Sequence, residues 1–196
     1  MKLLGKRSIA ILITVVVVIA STLLGVYNTS GRYARQIEKM FYDGVFLSDQ
    51  GFTQPGINTH LENGANAALG LATLLEKHPE LSKSTETLLS ARRELMSADG
   101  VAQKEQAANK MRDGFIDLLD AARDADLSER DKDAATQFYS VFNGALIAIS
   151  NSRYNDVVGD HLNSQCALMH LAGNFVSAKQ PHSFYAEPFD SSVFAW

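Results

Sequence analysis

Residues 8–27 read SIAILITVVVVIASTLLGVY. The stretch has no charge and no proline, and its polar members Thr14, Ser21 and Thr22 are small enough to bond back to their own helix. At about 1.5 Å per residue, a run of this length matches the roughly 30 Å hydrocarbon core of a bilayer. In lipid it must be helical, because no water is present to satisfy its backbone groups. That requirement overrides the strand preference that the Val15 to Val18 run has in water. Tyr27, at the far end, suits the interfacial layer. The competing reading is a cleaved signal peptide, with Lys2, Lys6 and Arg7 as its basic start and Val18-Ile19-Ala20 as a cleavage site. Signal cores are usually about 7–15 residues long. This run continues through Leu23, Leu24 and Val26, which favours an uncleaved anchor over residues 1–30.

Working outward, the charges are asymmetric. The net charge is -4, yet three basic residues precede the apolar run and no acid occurs before Glu38. The part beyond the anchor is therefore more acidic than the whole. An acidic balance excludes the basic footprint of a nucleic-acid binder and fits a soluble surface. Lys2, Lys6 and Arg7 on one flank nearly balance Arg32, Arg35 and Lys39 on the other. The closer packing of the leading positives points to a cytoplasmic N-terminus with the bundle outside. Cys166 is the single cysteine, so neither an intramolecular disulfide nor a structural zinc site of several cysteines can form.

Beyond the anchor, helical periodicity recurs and no alternating run bounded by turns is found. Tyr33, Ile37, Met40, Phe41 and Gly44 share one stripe, either continuous with the anchor or hinged at Ser30-Gly31; Ser48-Asp49-Gln50-Gly51 breaks it. Pro55 sits near the start of a helix carrying Ile57, Leu61, Gly64, Ala68, Leu71, Ala72 and Leu75, which Lys77-His78-Pro79 ends. A helix over about Ser84–Ala98 turns Leu88, Leu89, Leu95 and Met96 inward and stops at Asp99-Gly100. From Val101 to about Ala125, Ala108, Met111, Phe115, Leu118, Leu119 and Ala122 line one face. Ser128-Glu129-Arg130-Asp131 reads as a variant capping box, followed by a stripe of Ala134, Phe138, Val141, Phe142, Ala145 and Ile149. After a polar break at Ser150-Asn151-Ser152, a last helix carries Tyr154, Val158, Leu162, Met169 and Ala172. Short connections make neighbours antiparallel, so the expected fold is all-α: one transmembrane helix (1–30), an up-and-down bundle of four or five helices (31–180) and an aromatic tail (181–196). Phe184, Tyr185, Phe189, Phe194 and Trp196 in that tail are costly to leave in water. They either fold back on the bundle or bind a partner or the membrane interface.

Chemistry-bearing patterns are absent. His60, His78, His161, His170 and His182 are scattered, without the one-turn spacing of a zincin pair or a Glu-x-x-His bundle site. His161 and Cys166 stand five apart on one helix and point in different directions. There is no nucleophile elbow, Walker loop or dinucleotide fingerprint. Asp113, Asp117, Asp120 and Asp124 share a helix face, but interleaved Arg112 and Arg123 make it a solvated face rather than a cation site. The expectation is no catalytic, cofactor-binding or metal residue and no cofactor.

The order of features resembles one known family. A short basic start leads into a membrane helix ending in Tyr27-Asn28. Ser90-Ala91-Arg92-Arg93-Glu94-Leu95 precedes a helix start at Val101-Ala102-Gln103-Lys104. The last helix opens Arg153-Tyr154-Asn155-Asp156-Val157-Val158, followed by His161-Leu162-Asn163, and the chain closes near Phe184-Tyr185-Ala186-Glu187-Pro188-Phe189. This layout resembles the LemA family of bacterial membrane-anchored helical proteins, in which a Tyr-Asn-x-x-Val pattern opens the final helix. The match of motifs covers the last third only. Gln54-Pro55-Gly56-Ile57-Asn58-Thr59-His60-Leu61 stands where the family's usual second-helix stretch would be, which marks a divergent branch, as does Met40-Phe41-Tyr42-Asp43-Gly44-Val45. The resemblance implies a bundle anchored in the bacterial cytoplasmic membrane, no enzymatic activity and a scaffold or adaptor role, with Tyr154 packed in the bundle and Asn155 capping or bridging. The expected partners are the membrane itself and a protein partner or homo-oligomer. The alternative is a membrane-anchored sensor or ligand-binding module.

Overall fold

The computed structural model describes residues 2–164 and 179–190, with side chains from residue 7. Helix α1 spans Lys2–Asp43 without interruption, so Ser30 and Gly31 are helical. It is followed by strands β1 (Val45–Leu47) and β2 (Phe52–Gln54), then α2 (Ile57–Leu75), a 3-10 turn at Pro79–Leu81, α3 (Ser82–Ser97), α4 (Val101–Arg123), α5 (Glu129–Ser150) and α6 (Tyr154–Ser164). The chain forms two compact units. One comprises Met1–Glu38 and Val157–Pro181, the other Lys39–Asp156 and His182–Trp196.

In the first unit, the helix from Arg7 is long and apolar enough to cross a membrane. Ile9, Leu12, Val16, Ile19 and Leu24 are all exposed, as lipid-facing side chains are. Thr14 and Thr22 donate their hydroxyls to the carbonyls of Ala10 and Val18, both at 2.9 Å, so the helix carries no unsatisfied hydroxyl at these positions. Tyr33 lies 5.8 Å from the His161 ring, and Lys179 pairs with Glu38 at 2.5 Å.

The second unit is a helical bundle with one short hairpin. Helix α2 packs on α5 and on α3, and α3 packs on α4. The α2 stripe read from the sequence is buried from Ile57 through Leu75, and so is that of α4 from Ala108 through Ala122. Gly114 lets α4 approach the α3 backbone at Leu88. The seam between α4 and α5 is filled by large rings: Phe115 stacks on Phe142 at 4.1 Å, and both are fully buried. Ser128 caps α5, its Oγ accepting from the Asp131 N–H at 3.2 Å, as the variant capping box implies. Lys77 donates to both Asp131 carboxylate oxygens at 2.8 Å. That bond first, and the Ser128 hydroxyl second, hold the Asp131 carboxyl below its ordinary range.

Three readings of the sequence need correction. The first is the absence of strands. β1 and β2 form a hairpin pairing Val45 with Gln54, Phe46 with Thr53 and Leu47 with Phe52. Three-residue strands are too short to show an alternating pattern. The hairpin depends on Gly44, at φ +96°, where any Cβ would overlap the Gln54 carbonyl oxygen. The Gln54 side chain also ties the hairpin to the α5–α6 corner, donating to Asn151 O (3.2 Å) and accepting from Arg153 N (3.0 Å). The second is the α5 stripe. Its buried side runs through Ala135, Phe142, Ala145, Leu146 and Ile149, while Val141 is 53% exposed and Ala134 and Phe138 are half-buried. From Ala134 to Ser150 the helix has no charge on any side, so periodicity could not select the inward face. The third is Met96, placed inward from the sequence but 50% exposed; Tyr33 and Leu162 are likewise exposed. Met169 and Ala172, read onto the last helix, lie outside the described residues, as do Cys166, His170, Phe194 and Trp196.

Candidate interaction surface

The surface worth attention lies on the outer side of the α2/α5 pair. Helix α2 contains one charged residue, Glu62, which accepts a hydrogen bond from Asn58 at 2.7 Å. Helix α5 contains none after Asp133. Packed together, the two helices leave an open groove of about 570 Å³. It is lined by the small residues Ala67, Gly144, Ala145 and Ala148 and by Phe138 and Val141. Gly144 and Val141 are exposed, and a Cβ on Gly144 would meet nothing within the chain. Gly70 has the opposite reason to be glycine, since a Cβ there would strike the Phe138 ring. His60, Asn63 and Asn66 supply the polar groups. Burial pushes the His60 imidazole toward its neutral form. Leu69 and Ile147, one helical turn on from Asn66 and Gly144, are exposed and extend the apolar surface. Depletion of charge together with exposed apolar side chains is a composition that the centres of protein interfaces share.

The aromatic segment behaves differently: it folds back and is held. Residues 182–190 have no helix or strand of their own. Side chains from three helices bind their backbone. Asn155 clamps Phe184, accepting from its N–H at 2.8 Å and donating to its carbonyl at 2.7 Å. Tyr154, fully buried, donates its hydroxyl to His182 O at 2.8 Å. From α4, Glu105 accepts from Tyr185 N (2.9 Å) and Arg112 Nε donates to Glu187 O (2.9 Å). From α5, Asn143 accepts from Phe189 N at 2.8 Å. Phe184 fits against Phe41 at 5.4 Å. Phe189 inserts into the α4/α5 seam, stacked on Phe142 (5.7 Å) and Tyr139 (5.6 Å) beneath the Arg112 guanidinium (5.3 Å). The sequence located this aromatic segment. Only the fold supplies the polar groups that hold its backbone.

A second cleft of about 430 Å³ lies along α3, lined by Glu76, Ser82, Thr85, Glu86, Leu89, Arg92 and Arg93. Arg92 is also a strut between helices, donating Nε to Ala65 O at 2.9 Å. The buried Thr85 hydroxyl has no hydrogen-bond partner.

Among the described residues the histidines do not converge. His60 lines the α2/α5 groove, His78 Nδ1 stands 3.3 Å from Glu80, and His182 Nε2 stands 2.7 Å from Glu105. Among the described residues no group of three His, Cys, Asp or Glu side chains could hold a metal ion. Asp113, Asp117 and Asp120 are exposed on α4 and Asp124 is exposed at its C-cap, with Arg112 against Asp113 and Arg123 against Asp120. The signal that marks the α2/α5 face was present in the sequence as the charge-free run of α5. A search for catalytic spacing passes over it, because its information lies in what is missing. Comparison with protein-family models, curated proteins and solved structures finds no match to this chain.

Proposed function

We propose that this protein is a non-enzymatic, single-pass scaffold or adaptor that presents a helical bundle at a membrane surface. One observation carries the reading: a chain with a helix long and apolar enough to cross a membrane also exposes an open, charge-poor face on its bundle, while the α4 exterior is charged in the ordinary way. Tethering confines the face to two dimensions and raises the effective concentration of whatever it binds. The proposed setting is the bacterial cytoplasmic membrane, with the N-terminus in the cytoplasm and the bundle outside. A divergent relationship to the LemA family is part of the proposal. It is supported by the bonds from the family-like helix start to the aromatic segment, Tyr154 to the His182 carbonyl and Asn155 to the Phe184 backbone. The second reading, a membrane-anchored ligand-binding or sensor module, draws on the cleft along α3 with its unpartnered Thr85 hydroxyl.

The test is site-specific photocrosslinking in intact membranes. A photoreactive residue at position 141 should give a protein adduct of discrete mass, and one at position 117 on the charged α4 face should not. Equal labelling at both positions, or none at 141, sinks the docking reading. A thermal shift of the full chain on titration with small molecules, abolished by Arg93→Ala, would favour the sensor reading instead.

A further inference from the structure

We infer that the cavity where α1 leaves its apolar run binds the phosphodiester of an anionic lipid headgroup. The inference rests on the single-pass anchor of the proposed function and adds to it a lipid that the chain selects.

The site lies wholly within the first unit. Tyr27, Gly31 and Arg35 stand four residues apart and so share one face of α1. With Asn28 of the same helix and Lys179, distant in the chain, they line a cavity of about 190 Å³. Long helical side chains lean toward the N-terminus of their helix, and Arg35 does so here. One of its guanidinium nitrogens lies 3.7 Å from where a Cβ on Gly31 would stand. The charge is thereby carried back toward Tyr27, over part of the roughly 12 Å of helix between them. Tyr27 ends the uncharged run and suits the interfacial layer. When α1 spans a bilayer, the cavity therefore lies at the depth of the headgroups.

The chemistry selects the ligand. The Tyr27 hydroxyl, the Asn28 amide and the Arg35 guanidinium are all donors, and none of the three side chains makes a hydrogen bond among the described residues. Lys179 is held by Glu38 at 2.5 Å and keeps further N–H donors for the cavity. Two cations and the Glu38 carboxylate leave a single positive charge, which one phosphodiester neutralises. The planar guanidinium fits a pair of phosphate oxygens. A zwitterionic headgroup would bring its own ammonium beside Arg35 and Lys179, so a headgroup without one is preferred. Any exposed basic residue near a membrane surface attracts anionic lipid. What makes this a site is that cations from two distant segments converge on a space that Gly31 leaves open.

The test uses the full chain in mild detergent with phosphatidylglycerol and phosphatidylcholine added in equal amounts. Native mass spectrometry counts the lipid retained. Phosphatidylglycerol should be kept over phosphatidylcholine by about fivefold, the worth of one cation at an anionic surface. Arg35→Gln should bring that ratio close to one, and so should Gly31→Leu, which fills the space the guanidinium crosses. Arg32→Gln removes the same charge from an exposed position outside the cavity and should leave the ratio unchanged. Gly31 is buried, so if Gly31→Leu loses helical circular dichroism signal, the exposed Arg35 position decides. Equal retention of the two lipids by the wild type overturns the proposal, as does an equal loss in Arg32→Gln and Arg35→Gln. Inorganic phosphate should neither displace the retained lipid nor raise the melting temperature. If it does either, the site takes soluble phosphate and the lipid assignment falls. Alkaline carbonate extraction of membranes carrying the chain separates the two failures. A chain that stays in the membrane without a lipid preference loses the site and keeps the anchor. A chain that is extracted loses both.

Discussion

The α2/α5 and α3/α4 pairs solve the same folding problem and differ only outside. Inside, both are closed by leucine, alanine and phenylalanine: Leu61, Leu71 and Phe142 on one side, Leu88, Leu95, Phe115 and Leu118 on the other. Outside, α3 and α4 alternate Lys, Arg, Asp and Glu, with Lys110 bonded to Glu94 across the pair at 2.5 Å. The outside of α2/α5 exposes mostly uncharged residues, Thr59, Asn63, Asn66, Leu69 and Thr73 on α2 and Gln137, Ser140, Val141, Gly144 and Ile147 on α5, with charge confined to Glu62 and the start of α5. A bundle needs only its inward stripe to fold. The difference between the two exteriors is therefore not a folding requirement, and it is the feature on which the proposed docking role rests.

The largest expected effect tests what the pairs share. Phe142→Ala removes the ring that Phe115 and Phe189 stack against, and should cost about 3–5 kcal/mol by denaturant titration. A loss below about 1 kcal/mol would mean that the seam collapses easily and that the two pairs are less interdependent than their stacking implies. Next is the aromatic segment that crosses this seam. Asn155→Ala deletes both bonds to Phe184 and should cost about 2 kcal/mol. Faster proteolysis after Tyr185 in that variant would show that the clamp holds the segment in place.

The comparison is sharpened by smaller effects. In the chain without a bound partner, Gly144→Ala should stabilise the fold by about 0.5–1 kcal/mol by denaturant titration, since alanine is the better helix former and its methyl meets nothing within the chain. A destabilisation would mean that the Gly144 position is not open in the unbound chain. Acid gives the last test. The Asp131 carboxyl is held below its ordinary range, so the unfolded chain binds its proton first as pH falls. Its stabilising contribution is complete above the ordinary carboxylate pKa and disappears as pH drops through the lowered folded value. Asp131→Asn should flatten that part of the acid-stability curve; an unchanged acid limb would remove the Lys77 bond from the account.

Taken by itself, the sequence determined an N-terminal helix long and apolar enough to cross a membrane, and the class of fold. Residues 8–27 have only one way to satisfy their backbone in lipid, and the α2 and α4 stripes are one-sided because charge excludes the other side from the core. Tertiary structure alone decided three things. It set the rotation of α5, because a helix without charge has no side that water claims. It formed the hairpin, whose strands are too short to carry a pattern and whose Gly44 matters only because Gln54 comes beside it. It assembled the cradle for Phe184 and Phe189 from Glu105, Arg112, Asn143 and Asn155, residues far apart in the chain that meet only once the helices have packed. Local pattern reports where a residue meets water or lipid; it carries no information about which distant backbone a side chain will find.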